Sequence, residues 1–196
     1  MLVYLETNFI LAAATGQDPD TAALLATDPS RARLCLPDVC VMEAWYALRA
    51  KQKEFNTFRD ALGKRIREAQ RDLTSATAPA FVADTSRAQH QFGRLFNDIE
   101  QRFAHTLDRL AARAEFLPLL PQVVLDSTAR RVIDSPPDNL ILHVVCEHAR
   151  RHPAEPRVLL THNSADFWTA QTRPVLAAAG ITTYRPSVRA LLPTIA

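Results

Sequence analysis

Leu2-Val3-Tyr4-Leu5-Glu6-Thr7-Asn8 opens with four apolar residues and closes on a carboxylate. A continuous apolar run of this length reads as a strand covered on both faces, the pattern of a parallel sheet. Glu6 at its end is hard to explain as packing, because a buried carboxylate needs a partner. Further along the chain, Arg33-Leu-Cys-Leu36, Gln122-Val-Val-Leu125, residues 157–161 and Ile181-Thr-Thr-Tyr184 read as four more strands. Helical text separates them: 8–14, 20–27, a helix opened by Pro37 with Asp38 as its cap, one capped by Asp126 and Ser127, 136–151, and a helix from Ser164 to Gly180. Strands alternating with helices predict an α/β/α sandwich around a central five-stranded, mainly parallel sheet.

The acids then fall into order. Asp166 follows the fourth strand, and Glu43 and Asp138 lie near the starts of two helices. In a parallel sheet the strand ends and the following helix starts share one edge, where ligands bind. Carboxylates gathered there repel one another unless a cation lies among them, and hard oxygen donors select Mg²⁺ or Mn²⁺. The natural substrate of such a site is a phosphodiester. Glu6 and Asp138 are the best direct metal ligands, with Asp166 and Glu43 completing the acidic ring through waters. Thr7 is placed to hydrogen-bond a metal-bound water or a phosphate oxygen, and the amides of Asn8 and Asn163 to fix loop geometry or orient a carboxylate.

The middle third of the chain has another character. Apolar residues step by three, four or seven from Trp45 to Leu73 and again from Phe92 to Leu117, around the small, polar segment 74–80. That is the stripe of two long helices packed on each other. We therefore divide the chain into a sheet domain, 1–50 plus 118–196, and a projecting antiparallel helical hairpin, 51–117. Residues 51–115 carry twelve Lys or Arg against nine Asp or Glu, although the whole chain has a net charge of only +2, so any basic surface is local. Lys51, Lys53, Lys64, Arg65 and Arg67 on the first helix are candidates for contact with phosphates, against the plainer reading of a solvated helix face.

Other classes drop out. Four glycines leave no phosphate-binding loop of the Gly-rich kind. Three cysteines without C-x-x-C spacing argue against a disulfide framework or zinc ribbon and for a reduced, cytoplasmic setting. The apolar start reads as a strand rather than a signal peptide, and no apolar run reaches the roughly 20 residues that span a bilayer. His148 and His152 have a zinc-compatible spacing but read as solvated residues of a helix end; His143 and Cys146 read as packing residues, and His162 as reaching solvent.

Taken together, Glu6-Thr7-Asn8 after the first strand, Glu43 in Val39-Cys40-Val41-Met42-Glu43-Ala44, Asp138 in Pro137-Asp138-Asn139-Leu140-Ile141, and Thr161-His162-Asn163-Ser164-Ala165-Asp166-Phe167 resemble the PIN-domain nucleases. The last segment is similar to the T-x-N-x-x-D-F ending of VapC-type toxins. The resemblance covers about residues 1–50 and 118–185. It departs from the family pattern in having Glu6 where Asp is usual and in its long helical segment. It implies a metal-dependent endoribonuclease that uses metal-activated water and leaves a 5′-phosphate and a 3′-hydroxyl, with RNA as substrate and a protein antitoxin as partner. The amphipathic helices also offer surface for a homodimer. The competing expectation is a non-catalytic PIN-like scaffold that binds nucleic acid or protein. A two-aspartate phosphatase would need an acid where Asn8 stands.

Overall fold

In the computed structural model, which describes residues 1–195, five parallel strands form one sheet in the order β3-β2-β1-β4-β5. These are β1 (Leu2–Leu5), β2 (Arg33–Pro37), β3 (Ala114–Leu117), β4 (Arg157–Leu160) and β5 (Thr183–Arg185). All four strand pairs are parallel. β1 lies at the centre, and its four residues are wholly buried, as its unbroken apolar run requires. The chain leaves β1 toward β2 on one side and meets β4 on the other, so the strand order reverses between β1 and β4. That is the crevice where open α/β sheets bind ligands.

Nine helices surround the sheet among the described residues: α1 (Thr7–Thr15), α2 (Thr21–Ala26), α3 (Asp38–Gln70), α4 (Ala78–Arg113), α5 (Pro121–Ala129), α6 (Pro136–Arg151), α7 (Ser164–Phe167), α8 (Thr172–Ala178) and α9 (Val188–Ile195). Gly16 ends α1 in the left-handed conformation. Among the described residues no helix is long and apolar enough to cross a membrane.

The two long helices form a hairpin. α3 has 33 residues and α4 has 36, so each is ~50 Å long at about 1.5 Å per residue. Trp45 meets Phe103, Phe55 stacks on Phe96, and Phe58 meets Phe92, which fixes the antiparallel register. At the tip, Asp72 Oδ1 accepts from the backbone N–H groups of Thr74 and Ser75 and closes the turn. α3 starts at the carboxyl end of β2, whereas α4 must deliver the chain to the amino end of β3. The paired helices therefore stand out from the edge where α3 begins. α4 then continues down the sheet, where Phe103 and Leu110 join the core and Arg113 donates to Thr27 O and Ala32 O.

The structure corrects several expectations from the sequence. The third strand is 114–117, not 122–125. Ala114 and Leu117 continue the helical stripe and so conceal the strand, whose Glu115 and Phe116 are exposed at the sheet edge. Gln122-Val-Val-Leu125 belongs to α5, which Pro121 starts; Val123 faces inward and Leu125 outward. The segment 51–117 thus contains a sheet strand as well as helix. The expected helix from Ser164 to Gly180 is broken after Phe167, where Pro174 forces a fresh start and hydroxyl contacts between Thr169 and Thr172 shape the turn. Asp126 and Ser127 lie inside α5 rather than capping it, and Asp38 is the first residue of α3, after Pro37.

Gly180 has φ +80, and a Cβ there would lie 1.7 Å from Arg157 Nη1. That guanidinium ties the turn before β4 to the end of α8 through His152 O and Ala179 O. Gly180→Ala strains the backbone and expels Arg157 together. Its expected cost is about 2 kcal/mol, read as a lower urea midpoint with an unchanged slope.

Candidate active site

Glu6 leaves β1 as the cap of α1, its Oε2 accepting from Asn8 N at 2.9 Å. Its other oxygen, Oε1, accepts from Thr161 Oγ1 at 3.0 Å, across the crevice between β1 and β4. The side chain that was hardest to explain as packing thus has two hydrogen bonds while only 1% exposed. Burial pushes its pKa up to about 7, and the charge of Asp138 pushes the same way against the hydrogen bonds from Asn8 and Thr161.

The other acids gather around it. Glu43, in the second turn of α3, is half-buried and accepts from the Thr7 hydroxyl. Its pKa is raised by burial, opposed by Thr7 and reinforced by Asp138. Asp138, in the first turn of α6, is raised by burial and by the charge of Asp166. Asp166 accepts from Asn163 Nδ2 at 2.7 Å, and Asn163 N donates to Thr161 Oγ1 at 2.9 Å. A chain of mutual influence therefore runs from Glu43 and Glu6 through Asp138 to Asp166. Thr7, Thr161 and Asn163 are the neutral groups that hold these carboxylates in place. Asn8 contributes its backbone N–H.

The donors are all oxygen, which suits Mg²⁺ or Mn²⁺. Their spacing limits how an ion would sit. At about 2.1 Å per bond, two oxygens on one Mg²⁺ are at most ~4.2 Å apart. Among the described residues no three of the four acids offer oxygens within 4.8 Å of one another; only Cys35, Glu115 and His148 meet that test. The acids therefore fit an ion held directly by one or two carboxylates, with waters relaying to the rest. This is looser than a direct ring of four.

The basic residues lie farther off. Lys51, Lys53, Lys64, Arg65 and Arg67 are all exposed along α3, beginning about 12 Å beyond Glu43 and ending about 36 Å beyond it. Arg65 is paired with Glu68 at 2.8 Å. Nearer to Glu43, the exposed side chains of Met42, Trp45 and Tyr46 adjoin it on α3, and Arg49 lies 4.3 Å over the Trp45 ring.

Two structural residues escaped the sequence reading. Asn139 is 3% exposed and uses its whole amide: Oδ1 accepts from Val132 N and Ile133 N, and Nδ2 donates to Ser127 O and Arg130 O. It fixes the loop that delivers Asp138. Asp18 is buried under α9, accepting from Val188 N, with His162 Nε2 at 3.4 Å. His162 thus rests on a carboxylate as well as reaching solvent. His148 is not the solvated residue expected: its side chain is 12% exposed and its ring stacks on His152 at 4.2 Å.

A family model described as PIN domain matches residues 3–167, which includes both long helices and all four acids. Comparison with curated proteins and with solved structures returned no match.

Proposed function

The chain belongs to the PIN-domain family, whose fold is that of nucleases acting on nucleic acid with divalent metal ions, and from that premise we propose that it is an Mg²⁺- or Mn²⁺-dependent endoribonuclease. The observation that carries this reading is Glu6: a carboxylate sealed at the sheet's crevice, held by Thr161 and Asn8, and kept near neutrality by burial and by Asp138. No packing requirement accounts for it, and an adjacent cation would ionise it.

In this reading Glu6 and Asp138 hold the ion, and Glu43 and Asp166 orient its waters. Thr7 keeps the Glu43 carboxylate aimed into the site, and Asn163 does the same for Asp166. Asn8 fixes Glu6 from the start of α1. A bound divalent ion would neutralise the phosphodiester charge and lower the pKa of an attacking water. The exposed cations of α3 meet phosphates of an RNA that extends along the hairpin, which favours a substrate longer than a few nucleotides. The ending Thr161–Phe167 supports a VapC-like toxin role with a protein antitoxin, and the exposed aromatics of the hairpin offer surface for that partner or for a second copy.

Cleavage of single-stranded RNA, with DNA as the comparison substrate, tests the activity. Wild type is expected to cut RNA only with Mn²⁺ or Mg²⁺, and Asp138→Asn to lose on the order of a hundred- to a thousandfold in rate, since metal-held charge stabilisation amounts to several kcal/mol. The open spacing of the acids favours one alternative, a non-catalytic scaffold that binds nucleic acid. Absence of cleavage with either ion, alongside retained RNA binding, would establish it.

Metal binding has its own readout. An ion that binds only the folded protein stabilises it by about 2.7 kcal/mol at a hundred times its Kd. In a protein of this size that raises Tm by about 5–10 °C. The rise is expected with Mn²⁺ at pH 8 and is expected to vanish in Asp138→Asn. A shift that survives this substitution would place the ion elsewhere.

A further inference from the structure

We propose that Cys35, Glu115 and His148 form a second cation site, separate from the acids and suited to zinc. Cys35 pairs with Tyr4 on one side and Glu115 on the other, so the three side chains form a row on one face of β1, β2 and β3. α6 crosses that face and brings His148 over the row. The thiol, one carboxylate oxygen and one imidazole nitrogen all lie within 4.8 Å of one another. His148 is ten residues from Asp138, about 15 Å along α6, so the two sites do not share an ion.

The ligand set is sulfur, nitrogen and oxygen, which favours a borderline ion such as Zn²⁺ over Mg²⁺. Three protein ligands with Glu115 half-exposed leave a fourth position open to water from the sheet edge. Each of the two outer ligands already has a partner on its far side. His148 Nδ1 and Tyr4 OH are 2.9 Å apart, which orients the ring and leaves Nε2 facing Glu115 at 3.2 Å. Glu115 Oε2 accepts from Arg33 at 2.8 Å, and Oε1 faces His148. Arg33 also pairs with Glu155 at 2.7 Å. Arg33 and Glu155 cancel, leaving Glu115 and the Cys35 thiolate to balance a dication.

Arg33, Glu115 and Glu155 form an ion-pair network, and what sets this cluster apart is the Cys35 thiol brought within reach of both Glu115 and His148. That thiol is fully buried, and its one hydrogen-bond contact is a 3.9 Å approach to Arg33 O. Burial pushes its pKa up to about 12, with the Glu115 charge adding to the effect. A cation held between the thiol and the carboxylate would lower that pKa and stabilise the thiolate. Binding would release the thiol proton, so affinity falls as pH falls. The bound ion would fasten the edge strand β3, and with it the end of α4, to β2 and α6.

The test uses the full chain, stripped with a chelator and titrated with Co²⁺ as an optical stand-in for zinc. One equivalent is expected to give thiolate-to-cobalt charge transfer and the intense visible absorption of four-coordinate cobalt. Zn²⁺ bleaches both and Mg²⁺ neither. Cys35→Ser removes the charge-transfer band. Cys40→Ser, which changes the buried thiol in the field of Glu6 and Glu43, leaves it in place, and so does Asp138→Asn. Glu115→Gln, at an exposed edge position where folding is safe, lowers Co²⁺ affinity at least tenfold with Tm little changed. A wild-type spectrum of the six-coordinate, all-oxygen kind, a band that survives Cys35→Ser, or unchanged affinity in Glu115→Gln overturns the site. None of these outcomes depends on RNA cleavage, so the two proposals fail separately.

Discussion

Glu6→Gln is expected to cripple cleavage while making the metal-free protein more stable at pH 8. The carboxyl group holds its proton to about pH 7 in the fold, against an ordinary value of 4.5. Between those values the folded state binds more protons than the unfolded state, so stability falls as pH rises from about 4.5 to 7. Above pH 7 the full cost is present, about 3 kcal/mol at 1.36 kcal/mol per unit. Gln at position 6 carries no charge to bury, and its carbonyl can still accept from Asn8 N. Some of the gain is lost because an amide accepts at one atom instead of two. The net expectation is a Tm several degrees above wild type at pH 8 and close to it at pH 5, each measured with chelator present. Added Mn²⁺ reverses the ranking, because wild type gains an ion that the variant cannot hold. Cleavage falls by on the order of a thousandfold. A variant less stable than wild type at pH 8, or one that cuts RNA at close to the wild-type rate, would remove Glu6 from the metal site.

The largest loss of stability is expected at Asn139. Its amide satisfies four backbone groups in and beside the loop between α5 and α6 and is almost wholly buried. Asn139→Ala leaves two N–H groups and the Ser127 carbonyl without partners, Arg130 O keeping its contact with His143 Nε2 at 3.0 Å, and each buried orphan costs about 1–3 kcal/mol unless water reaches it. Allowing for water entry, the expected loss is about 4 kcal/mol, or roughly 8–16 °C in Tm. Asn139→Asp restores both acceptor contacts but sets a carboxylate against two carbonyls, so it is expected to recover little. A calorimetric scan separates this from a local effect. If Asn139→Ala melts with wild type yet loses cleavage, the residue serves only to position Asp138.

The sheet was largely legible from the chain because β1, β2 and β4 are buried on both faces and write continuous apolar runs. β3 was not, because an exposed edge strand of four residues carries Glu115 and Phe116 outward and keeps only Leu117 well buried. Its neighbours in sequence are helical, and their stripe runs straight through it. Glu6 could be singled out because a carboxylate at a strand end has no packing role. Asn139 could not: its four partners are backbone groups whose positions depend on the loop fold, and an Asn after an Asp near a helix start suggests nothing more than a cap. The cluster at Cys35 was invisible for a similar reason. Its residues come from three elements, and the register that aligns Cys35 with Glu115 depends on the strand that the sequence concealed.

Glu43 sits near one end of a single unbroken rod. α3 runs as one continuous helix from the carboxylate to the far tip, and the stacked phenylalanines lock it to α4 over much of that length. The two helices therefore form one packed unit, one end of which carries an acid. A substitution that unpacks the phenylalanines of the hairpin is thus expected to disturb the setting of that carboxylate as well.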